Sequence, residues 1–218
     1  MNPLSILRDS LYFSRRHLAG ILQLCLPLVV LETLLTQLLL RQLGDQAQPL
    51  HGLLVSLLVY PLYSAALILY LDSRSNGQAP RKRDLLARAV QLWPALALQV
   101  LISSLLILFG LTLLVFPGIW IMVNLVFAEY LLVLRGRRVV EAMRESAQMT
   151  TGHFWQILVC MLAVLAPLWL LDALLLTLFP NPQPGVELAL DSLVNFLQLF
   201  TIVVLYRLFM LLEQHKGR

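Results

Sequence analysis

Carboxylates and amides set inside long apolar runs are the residues of this 218-residue chain with chemistry to offer. Asp191, Asn195 and Gln198 follow one another at i, i+4 and i+7, which places a carboxylate and two amides on one helix face over about two turns. Glu32 lies deep in another apolar run with Thr36 one turn further on, and Asn124 is the polar group nearest the middle of a third. An ionisable side chain at mid-bilayer costs about 2.5–3.5 kcal/mol on insertion scales, so such groups turn toward other helices or toward water rather than lipid. The Asp191 stripe either ties helices together through hydrogen bonds or lines a hydrated or lipid-headgroup cavity, and Glu32 and Asn124 are candidates for the same polar region. Glu129, six residues before Arg135, reads as a rim residue in a salt bridge or cap. Asp172 and, taken singly, Asp191 read as interfacial and hydrated near the outer ends of their spans, and Arg207 as snorkelling near the end of its span.

Catalytic patterns are missing. There is no GxSxG elbow, P-loop or dinucleotide glycine motif, and His17, His51, His153 and His215 are scattered without HExxH spacing. Cys25 and Cys160 lie in different apolar segments, which suits packing rather than a disulfide framework or a CxxC metal pair. The acidic groups are few and sit at different depths. The expectation is a protein without catalytic residues, resident metal or cofactor.

The elements that must position these groups follow from composition. Apolar residues make up 59 % of the chain and charged residues only 13 %, with a mean hydropathy of +0.80. A soluble domain carries about a quarter charged residues. The fold class expected is all-α: a polytopic membrane helical bundle forming one integral domain over residues 1–218. Its six spans fall at roughly 18–40, 52–71, 92–115, 118–134, 154–179 and 187–212. Fourteen Lys and Arg fall in the N-terminal arm, the second and fourth loops and the tail, which holds Lys216 and Arg218; Arg41 alone falls on the other side. Both termini are therefore expected in the cytoplasm, and the first span is expected to be retained because no cleavage motif follows it.

The net charge of +4 is thereby located on the rims of spans, which argues for anionic lipid rather than nucleic acid as the electrostatic partner. The candidate headgroup contacts are Arg15, Arg16, Arg81, Lys82, Arg83, Arg137, Arg138 and Arg144, each contributing about 1 kcal/mol of attraction near an anionic surface.

A repeat is also visible. Residues 7–22, LRDSLYFSRRHLAGIL, align with 143–158, MRESAQMTTGHFWQIL, at a constant offset of 136, and 81–96 form a weaker third copy. Each copy precedes two spans, so the chain reads as three units of cytoplasmic helix plus transmembrane hairpin. From Val139 to Thr150 the residues Val139, Val140, Ala142, Met143, Ser146, Ala147 and Thr150 share half of the helical wheel, which predicts an interfacial helix lying apolar face down. In 81–93, Leu85, Leu86, Ala89 and Trp93 form a similar stripe. Residues 92–134 would run to about 65 Å as one helix, twice the hydrocarbon thickness, so the chain must reverse, and Pro117-Gly118 is the expected tip.

The segment FPGIWIMVNLVFAEYLLVLRGRRVVEAMRESAQMTTGHFWQIL, from residue 116 to 158, resembles the YciC-type family of uncharacterised bacterial inner-membrane proteins. More distantly, it resembles the membrane domain attached to some glycerophosphodiester phosphodiesterases. The shared order is a Pro-Gly turn, a span, a short helix like EAMRES and a return like GHFW. The resemblance implies a six-helix inner-membrane protein tied to envelope integrity, and it brings no catalytic residues. Phosphodiester hydrolysis in the distant relatives belongs to a separate soluble barrel, for which this chain has no room. Three functions follow as expectations: first a non-enzymatic protein in contact with the phospholipid bilayer or an envelope protein partner; second a small-solute or lipid transporter or channel with a polar path near the sixth span; and last, least favoured, an intramembrane enzyme.

Overall fold

The structure is a computed structural model that describes residues 3–44, 49–180 and 183–216; Arg218 lies outside the described residues. Among the described residues eight helices follow in order: α1 (Pro3–Leu43), α2 (Pro49–Ser75), α3 (Lys82–Leu113), α4 (Val115–Leu125), α5 (Ala128–Arg135), α6 (Val139–Thr150), α7 (Phe154–Leu178) and α8 (Pro184–Lys216). No strand occurs among the described residues. Six stretches are long and apolar enough to cross a membrane: Ile6–Leu43, His51–Ser75, Lys82–Leu113, Val115–Arg135, Phe154–Leu178 and Pro184–Gln214. Helices are the form such a chain must take, because lipid offers no partner for a free N–H or C=O. The protein is an all-α, multi-pass membrane bundle.

The start of α1 and the end of α8 lie at one end of the bundle, here called the termini end, where Arg207 of α8 approaches Asp9 of α1 at 3.5 Å. The turns α1–α2, α3–α4 and α7–α8 lie at the other, here called the hairpin end. Around the bundle α1 packs on α2, α2 on α3, α3 on α4, α4 on α7, α7 on α8, and α8 back on α1. The fourth span breaks after Leu125, and its second half, α5, contacts α2 and α3 inside that ring.

Three expectations change. The segments 4–16 and 81–93 are not separate interfacial helices: they run without a break into the first and third spans, giving helices of 41 and 32 residues. Only the copy at 143–158 breaks, at 151–153, where Thr151-Gly152 stand in the places of Arg15-Arg16 in the first copy and Gly152 takes a left-handed φ of 83°. The chain also reverses at Leu114, in extended conformation, and not at Pro117-Gly118. Pro117 falls in the first turn of α4, where an N–H would have no helical partner to lose. Gly118 keeps a negative φ and serves close packing: a Cβ on Gly110 would lie 2.8 Å from the Gly118 Cα, so only two glycines permit this approach of α3 to α4.

The third change concerns α6, which does not lie apolar face down on an interface. Ala142, Ser146, Met149 and Thr150 are buried against α4 and α5. Gly136, in the left-handed region at φ 61°, ends α5 and returns its amide to the Leu132 carbonyl, so that α6 can double back. The reason for the burial is chemical. At the α4–α5 break, the Phe127 N–H donates to Ser146 Oγ at 3.1 Å, and Ser146 Oγ donates to the Asn124 carbonyl at 2.6 Å. Thr150 Oγ1 donates to Asn124 Oδ1 at 2.8 Å. A broken helix in lipid leaves backbone groups that a neighbouring Ser or Thr must satisfy, and α6 supplies both.

A candidate solute cavity

Four helices carry polar residues at helical spacing, and the fold turns all four stripes inward. On α1 these are Glu32, Thr33, Thr36 and Gln37; on α2, Ser56, Tyr60 and Tyr63; on α3, Gln99, Ser103 and Ser104; on α8, Asp191, Asn195 and Gln198. Together they line a cavity of about 750 Å³ between the spans. That is within the usual range of small-molecule sites, about 300–1,000 Å³. Outward-facing residues such as Leu105, Phe109, Trp169 and Leu170 are apolar and exposed, as lipid contact requires.

The cavity runs from Glu129 and Tyr130 to Leu40, Asp172 and Glu187 near the hairpin end. Toward the termini it is closed by α5. Phe127, Ala128, Leu131 and Leu132 are buried, Tyr130 stacks on Phe209 with ring centroids 5.7 Å apart, and the Tyr130 hydroxyl donates to the Ile202 carbonyl at 2.9 Å. Beneath this plug Tyr206 bonds Ser75 at 2.8 Å and Asp72 at 3.3 Å, and Arg135 pairs with Glu213.

The charge of the cavity is one-sided. Five carboxylates line it, Glu32, Glu129, Asp172, Glu187 and Asp191, and no Lys, Arg or His is among its lining residues. Glu187 is neutralised at the mouth by Arg41 at 2.8 Å. Asp191 accepts from the Gln37 amide at 2.8 Å, and Glu129 accepts from the Tyr60 hydroxyl at 3.2 Å. Tyr63 is within electrostatic reach of both Glu32 and Glu129. Asn195 donates to Thr33 Oγ1 at 3.1 Å, and that hydroxyl donates to the Val29 carbonyl at 2.9 Å.

Of the residues singled out from sequence, the fold brings Asp191, Asn195, Gln198 and Glu32 to this cavity and leaves Asn124 out. Asn124 faces α6, with its amide donating to the Trp120 carbonyl at 2.7 Å, and stabilises the break. Glu129 is not a rim residue. Its expected arginine, Arg135, points away to Glu213, because the α5 break sets the carboxylate against Tyr60 near the middle of α2. Asp172, expected to be merely interfacial, lines the cavity as well, and Arg207 pairs with Asp9. Tyr60, Tyr63 and Gln99 were not expected; Ser56, Tyr60 and Tyr63 repeat the i, i+4, i+7 signal of the Asp191 stripe.

The candidate headgroup residues Arg15, Arg16, Arg81, Lys82, Arg83, Arg137, Arg138 and Arg144 are exposed toward the termini end. Lys82 bonds Gln23, and Arg137 meets Glu145 at 3.0 Å. Arg15 is distinctive. With Ser14 it borders a second cavity of about 370 Å³, otherwise apolar, between α1, α7 and α8. Among the described residues no group of three or more His, Cys, Asp or Glu is arranged to hold a metal ion.

No solved structure matches this fold significantly. The family model of the uncharacterised protein family UPF0259 matches residues 50–211, roughly three quarters of the chain and every span after the first, in keeping with the YciC-type resemblance. The chain belongs to the UPF0259 family.

Proposed function

We propose that this is an inner-membrane protein that takes up a small polar solute in the cavity among its spans, as a transporter or channel with its termini in the cytoplasm and its cavity open to the outside. The observation that supports this is the acidic, polar cavity of about 750 Å³, which extends to Leu40 and Glu187 near the hairpin end and is plugged by α5 at the other. Interhelical hydrogen bonding alone would draw polar stripes into contact, as in Asn195–Thr33, whereas Gln198 stays exposed on the cavity wall. The orientation rests on the basic residues of the termini end.

The test uses protein with Cys25 and Cys160 replaced by Ala and Gln198→Cys as the probe. A membrane-impermeant maleimide added outside spheroplasts is expected to label it, while Ser192→Cys, buried on the same helix away from the cavity, stays unlabelled. Reporter fusions after Pro184 should read external, and those after Gly77 and Gly136 internal. A Gln198→Cys protein labelled from neither side would refute a hydrated cavity.

The apolar cavity at Arg15 favours a second reading, contact with phospholipid. From Arg15 to Ile21 α1 rises about 9 Å, so the groove takes the headgroup-proximal part of one acyl chain with its phosphate at Arg15. Native mass spectrometry should show an anionic lipid retained by the intact protein and lost in Arg15→Gln but not in Arg144→Gln. Equal retention in both variants would remove the assignment.

A further inference from the structure

We propose that the solute is a linear polyamine, an aliphatic chain with two or more ammonium groups, held by carboxylates at two levels of the cavity. This rests on the solute-site reading above and names its ligand.

The sign of the ligand follows from the acids. A carboxylate inside a bundle is costly unless a cation or a proton meets it, and Arg41, at the mouth, is committed to Glu187. A positive solute supplies what the protein does not. The donor chemistry is set by a second, independent feature. Gln99 is 2 % exposed and lines the cavity, its amide nitrogen donating to Ser103 at 3.4 Å, yet its carbonyl oxygen has no hydrogen-bond partner among the described residues. Thr201 Oγ1, also on the wall, is unpartnered too. A buried acceptor without a donor costs about 1–3 kcal/mol, so the complementary ligand brings a hydrogen-bond donor; joined to the positive charge the acids call for, that is a primary or secondary ammonium and not a quaternary one.

The shape follows from where the acids stand. Glu32 and Glu129 are at the floor with Tyr60 and Tyr63; Asp191 and Asp172 are nearer the mouth. Gln37, which holds Asp191, is five residues beyond Glu32, a rise of about 7.5 Å on α1. On α8, Asp191 is eleven residues from Ile202, whose carbonyl binds Tyr130 on α5, a rise of about 16 Å. Ammonium groups in a four-carbon diamine lie roughly 6 Å apart, and the ends of a seven-carbon triamine roughly 11 Å, taking bonds of about 1.5 Å in zigzag. One molecule can therefore reach both levels. Tyrosine faces at the floor suit an ammonium, and Val194 and Leu199 offer apolar wall to methylenes. A divalent metal fits worse, because it needs several oxygens within about 2.6 Å and the acids are spread over two levels.

Isothermal titration of the full-length protein in lipid nanodiscs tests this with spermidine, butylamine, tetramethylammonium and Mg²⁺. Spermidine is expected to bind tightest and butylamine weakly, with no displacement of spermidine by equimolar Mg²⁺. Glu129→Gln should weaken both amines, and Asp191→Asn should weaken spermidine by about tenfold while leaving butylamine unchanged, because only the longer ligand reaches the mouth. If Glu129→Gln does not fold, Glu32→Gln replaces it at the floor. Spermidine that fails to bind, that binds Asp191→Asn as tightly as the parent, or that yields to Mg²⁺ or tetramethylammonium would overturn the proposal. Labelling of Gln198→Cys separates the two failures: a labelled cavity without spermidine binding leaves the solute reading standing and removes the polyamine.

Discussion

The two halves of the bundle are built by the same spans and hold opposite interiors. Toward the hairpin end the axis is a cavity with a polar wall; toward the termini α5 fills it, and Phe127, Tyr130, Tyr206 and Phe209 pack ring against ring. What separates them is the break in the fourth span. Had α4 continued straight, nothing would floor the cavity, and the carboxylate of Glu129 would be directed by the helix rather than by Tyr60. A polar residue in an apolar run is therefore explained by what fills the space opposite it, not by its own chemistry.

That contrast can be broken most severely at the plug. Phe127→Ala removes a fully buried ring that contacts Phe209, and is expected to cost about 3–5 kcal/mol, read as a large loss of thermal stability in detergent. Next is the link that holds the break. Ser146→Ala strands the Phe127 N–H and the Asn124 carbonyl, and a loss of about 1–3 kcal/mol is expected, while Ser146→Thr should recover part of it. Within the cavity half the same kind of change is mild: Asn195→Ala gives up one hydrogen bond to Thr33 beside the cavity, and thermal unfolding should register about 0.6 kcal/mol. Smallest is Arg41→Gln at the mouth, an exposed ion pair whose loss should stay within about 0.5 kcal/mol. A loss at Asn195 as large as that at Ser146 would mean the cavity wall is packed, and the distinction between halves would fall.

Much of this was legible in sequence for a physical reason: span length and apolar content answer to bilayer thickness, a constraint that acts on each segment alone. The six spans and the inward stripe at Asp191, Asn195 and Gln198 follow from it, as does the choice of Glu32. Asn124 and Glu129 were misplaced because their partners, Thr150 and Tyr60, are 26 and 69 residues away. Their roles depend on a helix break that carries no proline: Val126 and Phe127 are ordinary span residues, and the break persists because Ser146 satisfies the backbone it exposes. The reversal at Leu114 was likewise hidden, since proline is compatible both with a turn and with the first turn of the helix after it.

The amino-acid sequence by itself determined that this chain crosses a membrane as helices and which face of each helix is polar, because hydrophobic transfer and helical periodicity are local. Only the tertiary structure decided that four of those faces meet around one space, that Asn124 is not among them and that Glu129 is. Which groups share a cavity depends on helix packing between residues far apart in the chain, and on one unsatisfied turn of backbone finding a hydroxyl on α6.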